Sequence, residues 1–190
     1  AQRFNADRPE GQTALGVLYF ARGQVEDATA AYRAALRLDP AFAEAAVNLA
    51  DLYRVRGLDA EGEAVLRATL QAAPQSAPAH HALGLALIRQ KRIPEAVAAL
   101  GRAAKLAPED ARFAYVYGVA LHDTGRRTEA IPVLAEAVRR HPYDRDLLLA
   151  LGTYEKAAGR SDAARARAKL LRELEPDDPQ WGAAAAMLER

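Results

Sequence analysis

Apolar residues along this chain fall into a helical rhythm that breaks and restarts at a fixed interval. Leu15, Leu18, Tyr19 and Arg22 follow the three-and-four spacing of one helix face, Gly23 interrupts, and Ala28, Tyr32, Ala35 and Leu36 resume it. A glycine recurs at the interruption, at Gly57, Gly125 and Gly159, where a residue of left-handed conformation ends a first helix. Prolines at Pro40, Pro74, Pro108, Pro142 and Pro176 lie 34 residues apart and close the second helix. Small residues hold one phase at Gly16, Ala50, Gly84, Gly118 and Gly152, and another at Ala28, Gly62, Ala96, Ala130 and Ala164. Leu15, Leu49, Leu83, Tyr117 and Leu151 supply a bulkier column in step with them. Ser76, Asp110, Asp144 and Asp178 keep the same interval just ahead of a helical run, which is N-cap chemistry, and Pro179 follows at a first helical position.

Five units therefore cover 9–42, 43–76, 77–110, 111–144 and 145–178. Each is a pair of amphipathic helices that cannot bury its apolar face alone, so neighbouring pairs must stack into a solenoid. Residues 1–8 line up with the end of a second helix of a preceding unit, because Ala1 stands 34 positions before Ala35. Residues 179–190 form an expected capping helix that lays Trp181, Met187 and Leu188 on the last unit. Some positions depart from the pattern. Lys91 stands where the turn glycine belongs, so that turn either changes shape or accepts a lysine at positive φ. Pro132 falls several residues into a second helix and is expected to delay or bend its start, whereas Pro78 and Pro94 fall harmlessly in first turns. Glu155 and Ala168 replace larger apolar residues, which predicts a thinner core in the fifth unit.

Composition agrees with helices throughout. Of the 190 residues 46 are alanine, the best helix former and a poor strand residue, which excludes a large sheet. The chain is 51% hydrophobic with 26 basic against 25 acidic side chains, so it folds and carries no global charge to draw nucleic acid or an anionic membrane. Neither partner is expected. The absence of cysteine excludes disulfides, a thiolate nucleophile, Cys-based metal sites and covalent haem attachment within the chain. The 22 arginines against 4 lysines suit a GC-rich bacterial genome, and nothing separates cytoplasm from periplasm.

No glycine-rich phosphate loop, HExxH or GxSxG occurs, so no catalytic residue, metal or cofactor is expected. His80 and His81 are adjacent and diverge by roughly 100° on a helix, which fits one packed and one solvated ring rather than a metal site. His122 and Asp123 likewise point apart, with no nucleophile beside them. Lys156, Arg160, Arg165, Arg167, Lys169 and Arg172 face only Asp162 within residues 156–172. An acidic partner is one reading; a solvated helix face with stems over apolar surface is the favoured one, since no aromatics interleave to stack on bases.

The unit resembles the tetratricopeptide repeat. Leu15, Gly16, Tyr19, Ala28, Tyr32, Ala35 and Pro40 carry its pattern in the first unit, and Leu83, Gly84, Leu87, Ala96, Leu100, Ala103 and Pro108 in the third. The resemblance implies an all-α, right-handed superhelical solenoid of five helix–turn–helix repeats plus a C-terminal capping helix, acting as a non-catalytic protein–protein interaction scaffold. It also implies that first helices line a concave peptide-binding groove. Carried over, that surface holds Thr13, Val17 and Phe20, then Val47, Asn48, Asp51 and Arg54, then His81, Leu85, Ile88 and Arg89. It continues with Tyr115, Val119 and His122 and ends with Leu149, Thr153 and Lys156. Of the lysine, arginine and paired asparagines that clamp a chaperone's C-terminal carboxylate, only Asn48 is present, and the apolar floor points to a hydrophobic peptide or helix. Self-association through the same groove is the other occupant. The stretches ARFAYVYGVALHDTGR and HPYDRDLLLALGTYEKAAGR are also similar to arrays that follow multihaem cytochrome c regions in some bacterial periplasmic proteins. That gives the alternative of an assembly arm in a larger redox protein.

Overall fold

The computed structural model describes residues 7–174 and 176–189. Residues 1–6, on which most of the expected preceding-unit remnant falls, lie outside them. Among the described residues there is no strand. The chain divides into two compact units, 1–106 and 107–190. The first contains α1 (Pro9–Ala21), α2 (Val25–Leu38), α3 (Ala43–Val55), α4 (Asp59–Ala72), α5 (Ala77–Arg89) and α6 (Ile93–Leu106). The second contains α7 (Ala111–Asp123), α8 (Arg127–Arg140), α9 (Arg145–Ala157), α10 (Ser161–Leu174) and α11 (Pro179–Glu189).

Helix ends follow from the punctuation in the sequence. Gly23, Gly57, Gly125 and Gly159 all adopt positive φ, between 72° and 79°, and turn the chain from a first helix into a second. Lys91 adopts φ 60° at the equivalent place, so the turn keeps its shape and the lysine bears the steric cost. Ser76 accepts a hydrogen bond from the Ala79 amide, Asp110 from Arg112 and Phe113, Asp144 from Leu147, and Asp178 from Gln180. The two earlier members of that column, Arg8 and Phe42, make no side-chain cap. The expected delay at Pro132 does not occur: α8 begins at Arg127, in phase with α2. Only the bond to the Thr128 carbonyl is lost there, and Thr128 is exposed, so water can replace it.

In the first, third and fourth repeats the two helices cross where a side chain lies directly on a glycine, whereas the second has Ala50 at that place and its glycine, Gly62, on the other helix against Ala50. A Cβ on Gly84 would come within 2.6 Å of Leu100, one on Gly118 within 2.7 Å of Leu134, and one on Gly16 within 2.4 Å of the Tyr32 ring. No alanine fits at these three crossings without displacing the partner. The fifth repeat reaches the same contact differently. A Cβ on Gly152 would come within 2.6 Å of Leu188 of α11, because the residue in the place of Leu100 and Leu134 is the small, fully buried Ala168.

The expected thin core of the fifth repeat is therefore not found: Leu188 and Ala185 of α11 join Leu147, Leu148, Leu151 and Leu171 in one cluster. Trp181 packs against it, with the Arg145 guanidinium 5.3 Å above its ring. Met187 does not join; it is 66% exposed. Glu155, the other departure in this repeat, is buried and faces Arg167 at 3.4 Å. In the first unit one cluster gathers Ala28, Tyr32, Leu49, Leu52 and Tyr53, and a second gathers Leu66, Leu83 and Leu87 with small residues around them. Leu15, though in the packing column, is 37% exposed.

Candidate functional site

The expected binding face is that of the first helices. In the first unit α1 presents Val17 and Phe20, 48% and 37% exposed, and α5 presents Ile88, also 37% exposed. Leu85, Val47 and Asn48 are half-buried beside them. The charges on this face are matched in pairs. Arg54 donates from Nε to Asp51 Oδ1 at 2.6 Å, and Arg89 donates from Nε to Asp59 Oδ1 at 2.7 Å, Asp59 being the first residue of α4. What this face offers a ligand is aliphatic and aromatic surface with a neutral amide, Asn48, among it.

Two expected groove residues point elsewhere. Thr13 is buried, and its hydroxyl donates to the Pro9 carbonyl at 2.7 Å, one helical turn back. His81 is buried too, 6% exposed, whereas His80 is half-buried with Nε2 at 3.0 Å from the Pro74 carbonyl. The helix therefore turns the second ring of the pair inward.

In the second unit Tyr115 lines a cavity of about 320 Å³ with Arg112, Val116, Asp144 and Asp146, at the starts of α7 and α9. One helical turn or more further along, His122 stacks on Tyr154, ring centroids 3.8 Å apart and planes within 3°. Burial, followed by the nearby Asp123 carboxylate and Tyr115, pushes the Tyr154 hydroxyl up to about 12. Val119 and Leu149 are half-buried and Thr153 is exposed. Lys156 is committed to the backbone carbonyl of Met187, at the end of α11.

Sequence reasoning missed Arg112, Asp146 and Tyr154. The first two hold the second place of their units, a place the repeat pattern already marks as facing the groove. Tyr154 has no local signal, because its partner His122 lies a whole repeat away in sequence. Four of the six cations of the basic stretch have acidic partners in the chain: Arg165 pairs with Asp162, Arg167 with Glu155, Lys169 with Glu173 and Arg172 with Glu189. Among the described residues no group of acidic or histidine side chains could hold a metal ion, and no helix is long and apolar enough to cross a membrane.

Comparison with known proteins places these features in a family. Residues 81–145 and 121–188 each match a family model described as tetratricopeptide repeat, and residues 16–54 match one described as TPR repeat. A search of curated proteins gives no match. Among solved structures the chain is similar to YrrB, "a TPR protein with an unusual peptide-binding site", at 21% identity and TM-score 0.69, covering 97% of this chain and 93% of that one. It is similar to MamA at 23% identity and TM-score 0.72, covering 92% and 95%. PilF of Pseudomonas aeruginosa matches at 22% identity and TM-score 0.76, covering 99% of this chain and 85% of that one. At these identities the likeness is one of fold. These relatives give no support to a multihaem context.

Proposed function

The chain belongs to the tetratricopeptide repeat family, and from that premise we propose that it is a non-catalytic scaffold whose first helices bind an apolar segment of a partner protein. The observation that carries this reading is the exposure of Val17, Phe20 and Ile88 on the first helices α1 and α5, together with the pairing of Arg54 on α3 and Arg89 on α5 with Asp51 and Asp59. A surface of that kind gains from covering apolar side chains and has little unmatched charge to attract a polar ligand. Tyr115, at the edge of its cavity, supplies in the second unit the large, rigid contact surface that dominates binding energy at interfaces. YrrB, described by its peptide-binding site, is a protein of the same fold.

The test is a selection of displayed peptides on the purified chain, repeated with a Phe20→Ala, Asn48→Ala, Tyr115→Ala variant. Phe20 and Asn48 stand outside the packing columns and Tyr115 only borders the core cluster of the second unit, so the helical circular dichroism spectrum should be retained. Selected peptides should carry spaced apolar residues and bind the variant about tenfold or more weakly, as truncation of an aromatic anchor usually costs. Equal binding to both proteins would remove the first-helix face from consideration. Self-association through that face would appear as a sedimentation coefficient that rises with concentration in the parent and not in the variant.

A further inference from the structure

The repeats of this chain do not fill equivalent places in the same way. Places 11 and 23 of a unit meet at the junction of neighbouring repeats. Between the first and second repeats they are Tyr53 and Val65, and the Tyr53 hydroxyl accepts a hydrogen bond from Arg33 at 2.7 Å. Between the fourth and fifth they are Glu155 and Arg167, an ion pair. Between the second and third they are Leu87 and Ala99, the smallest combination, and a depression of about 320 Å³ remains over them. Its floor is Leu83, Leu87 and Ala99, all buried, and Ala98 on α6 is exposed at its rim. Arg67, the counterpart of Arg33, finds no tyrosine at this junction and binds Glu63 and Glu95 instead, at 2.7 and 3.0 Å.

The charges around the depression sum in a definite way. Arg67 and Arg92 share Glu63 and Glu95 in a closed network of two cations and two anions. Arg102, on the rim, donates to the neutral side-chain amide of Gln75 at 2.9 Å. The rim thus carries one positive charge that the network beside it does not cancel. None of the lining residues belongs to the first-helix face described above.

We propose that this depression, on the side of the second helices α4 and α6, is a second docking site, which takes one large apolar side chain of a partner peptide with a carboxylate next to it. The side chain covers Leu83 and Leu87 and occupies the space that a tyrosine fills one junction earlier. The carboxylate meets Arg102, exchanging a neutral amide partner for a charge-assisted one.

The probe is the blocked dipeptide N-acetyl-Phe-Asp-amide, with N-acetyl-Phe-Asn-amide as its neutral counterpart, titrated against the isotope-labelled chain and followed by the methyl resonances of Leu83 and Leu87. The expected result is a saturable shift of both residues with the Asp peptide and binding about threefold or more weaker with the Asn peptide. Arg102→Gln should abolish that preference and keep the methyl shifts. Ala98→Trp, which plugs the rim from an exposed position, should abolish the shifts with the spectrum otherwise native. Absence of shifts in the parent, shifts that survive Ala98→Trp, or no preference for the carboxylate would each overturn the proposal. So would a concentration-dependent dimer that Ala98→Trp dissociates, which would assign the depression to a second copy of the chain. All of these readouts are independent of peptide binding to the first-helix face.

Discussion

Replacing Leu188 by alanine tests whether α11 is part of the core or an appendage. Leu188 is 4% exposed and lies 2.6 Å from where a Gly152 Cβ would be, the separation that Leu100 keeps from Gly84 within its own repeat. The substitution removes three buried carbon atoms, worth about 2.5 kcal/mol in transfer alone. With the cavity left behind, the total cost is roughly 2–5 kcal/mol. Ala168 occupies the place of Leu100 and is fully buried, so Ala168→Leu alone should overpack the site and cost roughly 1–3 kcal/mol. Combined, the two changes rebuild the crossing seen at Gly84 and Gly118, with the leucine supplied by α10 instead of α11. The double variant should then lie within about 1.5 kcal/mol of the parent, the cost of a volume-conserving swap. Urea unfolding followed by far-ultraviolet circular dichroism, and separately by the fluorescence of Trp181, the one tryptophan, gives the four stabilities of the cycle. If the two costs simply add, Leu188 does not stand in for the missing side chain at 168 and the reasoning fails.

Other predictions rest on single contacts. Lys91→Gly relieves the lysine's φ of 60° and should raise the melting midpoint, gaining about 1 kcal/mol; an unchanged or lower midpoint would show that the turn bears no strain. Burial would raise the Glu63 carboxyl, but hydrogen bonds from Arg67, Gln90 and Arg92 outweigh it and hold the group below the ordinary value of 4.5. Its contribution is therefore complete above that value and lost as the pH falls through the lower folded one, so Glu63→Gln should flatten the acid limb of a stability-against-pH curve. An acid limb of unchanged steepness in Glu63→Gln would count against the network. Arg167→Met leaves Glu155 buried without its partner and should cost about 3 kcal/mol, whereas Glu155→Tyr with Arg167→Val, copying residues 53 and 65, should come close to the parent in urea unfolding.

The fold was legible because it is periodic. One proline column, one glycine column and two columns of small residues fix helix ends and crossings independently, and all agree on the same interval. What the sequence hid depends on contacts between repeats. Glu155 reads as a gap in the apolar pattern because its partner, Arg167, belongs to a stretch that reads as a solvated basic face. Ala168 reads as a thin core because the side chain that fills the space comes from α11, outside the repeat. Thr13 and His81 both hold the fifth place of their units, where Val47, Tyr115 and Leu149 are only half-buried, so that place lies at the edge of the groove and the side chain decides whether it reaches the surface.

The three junctions resolved within the two units share one backbone arrangement and differ in chemistry: a hydrogen-bonded tyrosine, an open aliphatic floor and an ion pair. A repeat protein can afford such differences, because each junction involves only its neighbours and a local change does not propagate along the array. Residues shared by all repeats therefore specify the fold and carry little information about the partner. The informative positions are those where one junction departs from the others while its helices stay unchanged. Leu87 and Ala99 are of this kind. Tyrosine and valine at the same places, in residues 53 and 65, show that the backbone accommodates a filled junction. The open junction is thus a property of the side chains at that one site and not a requirement of the architecture.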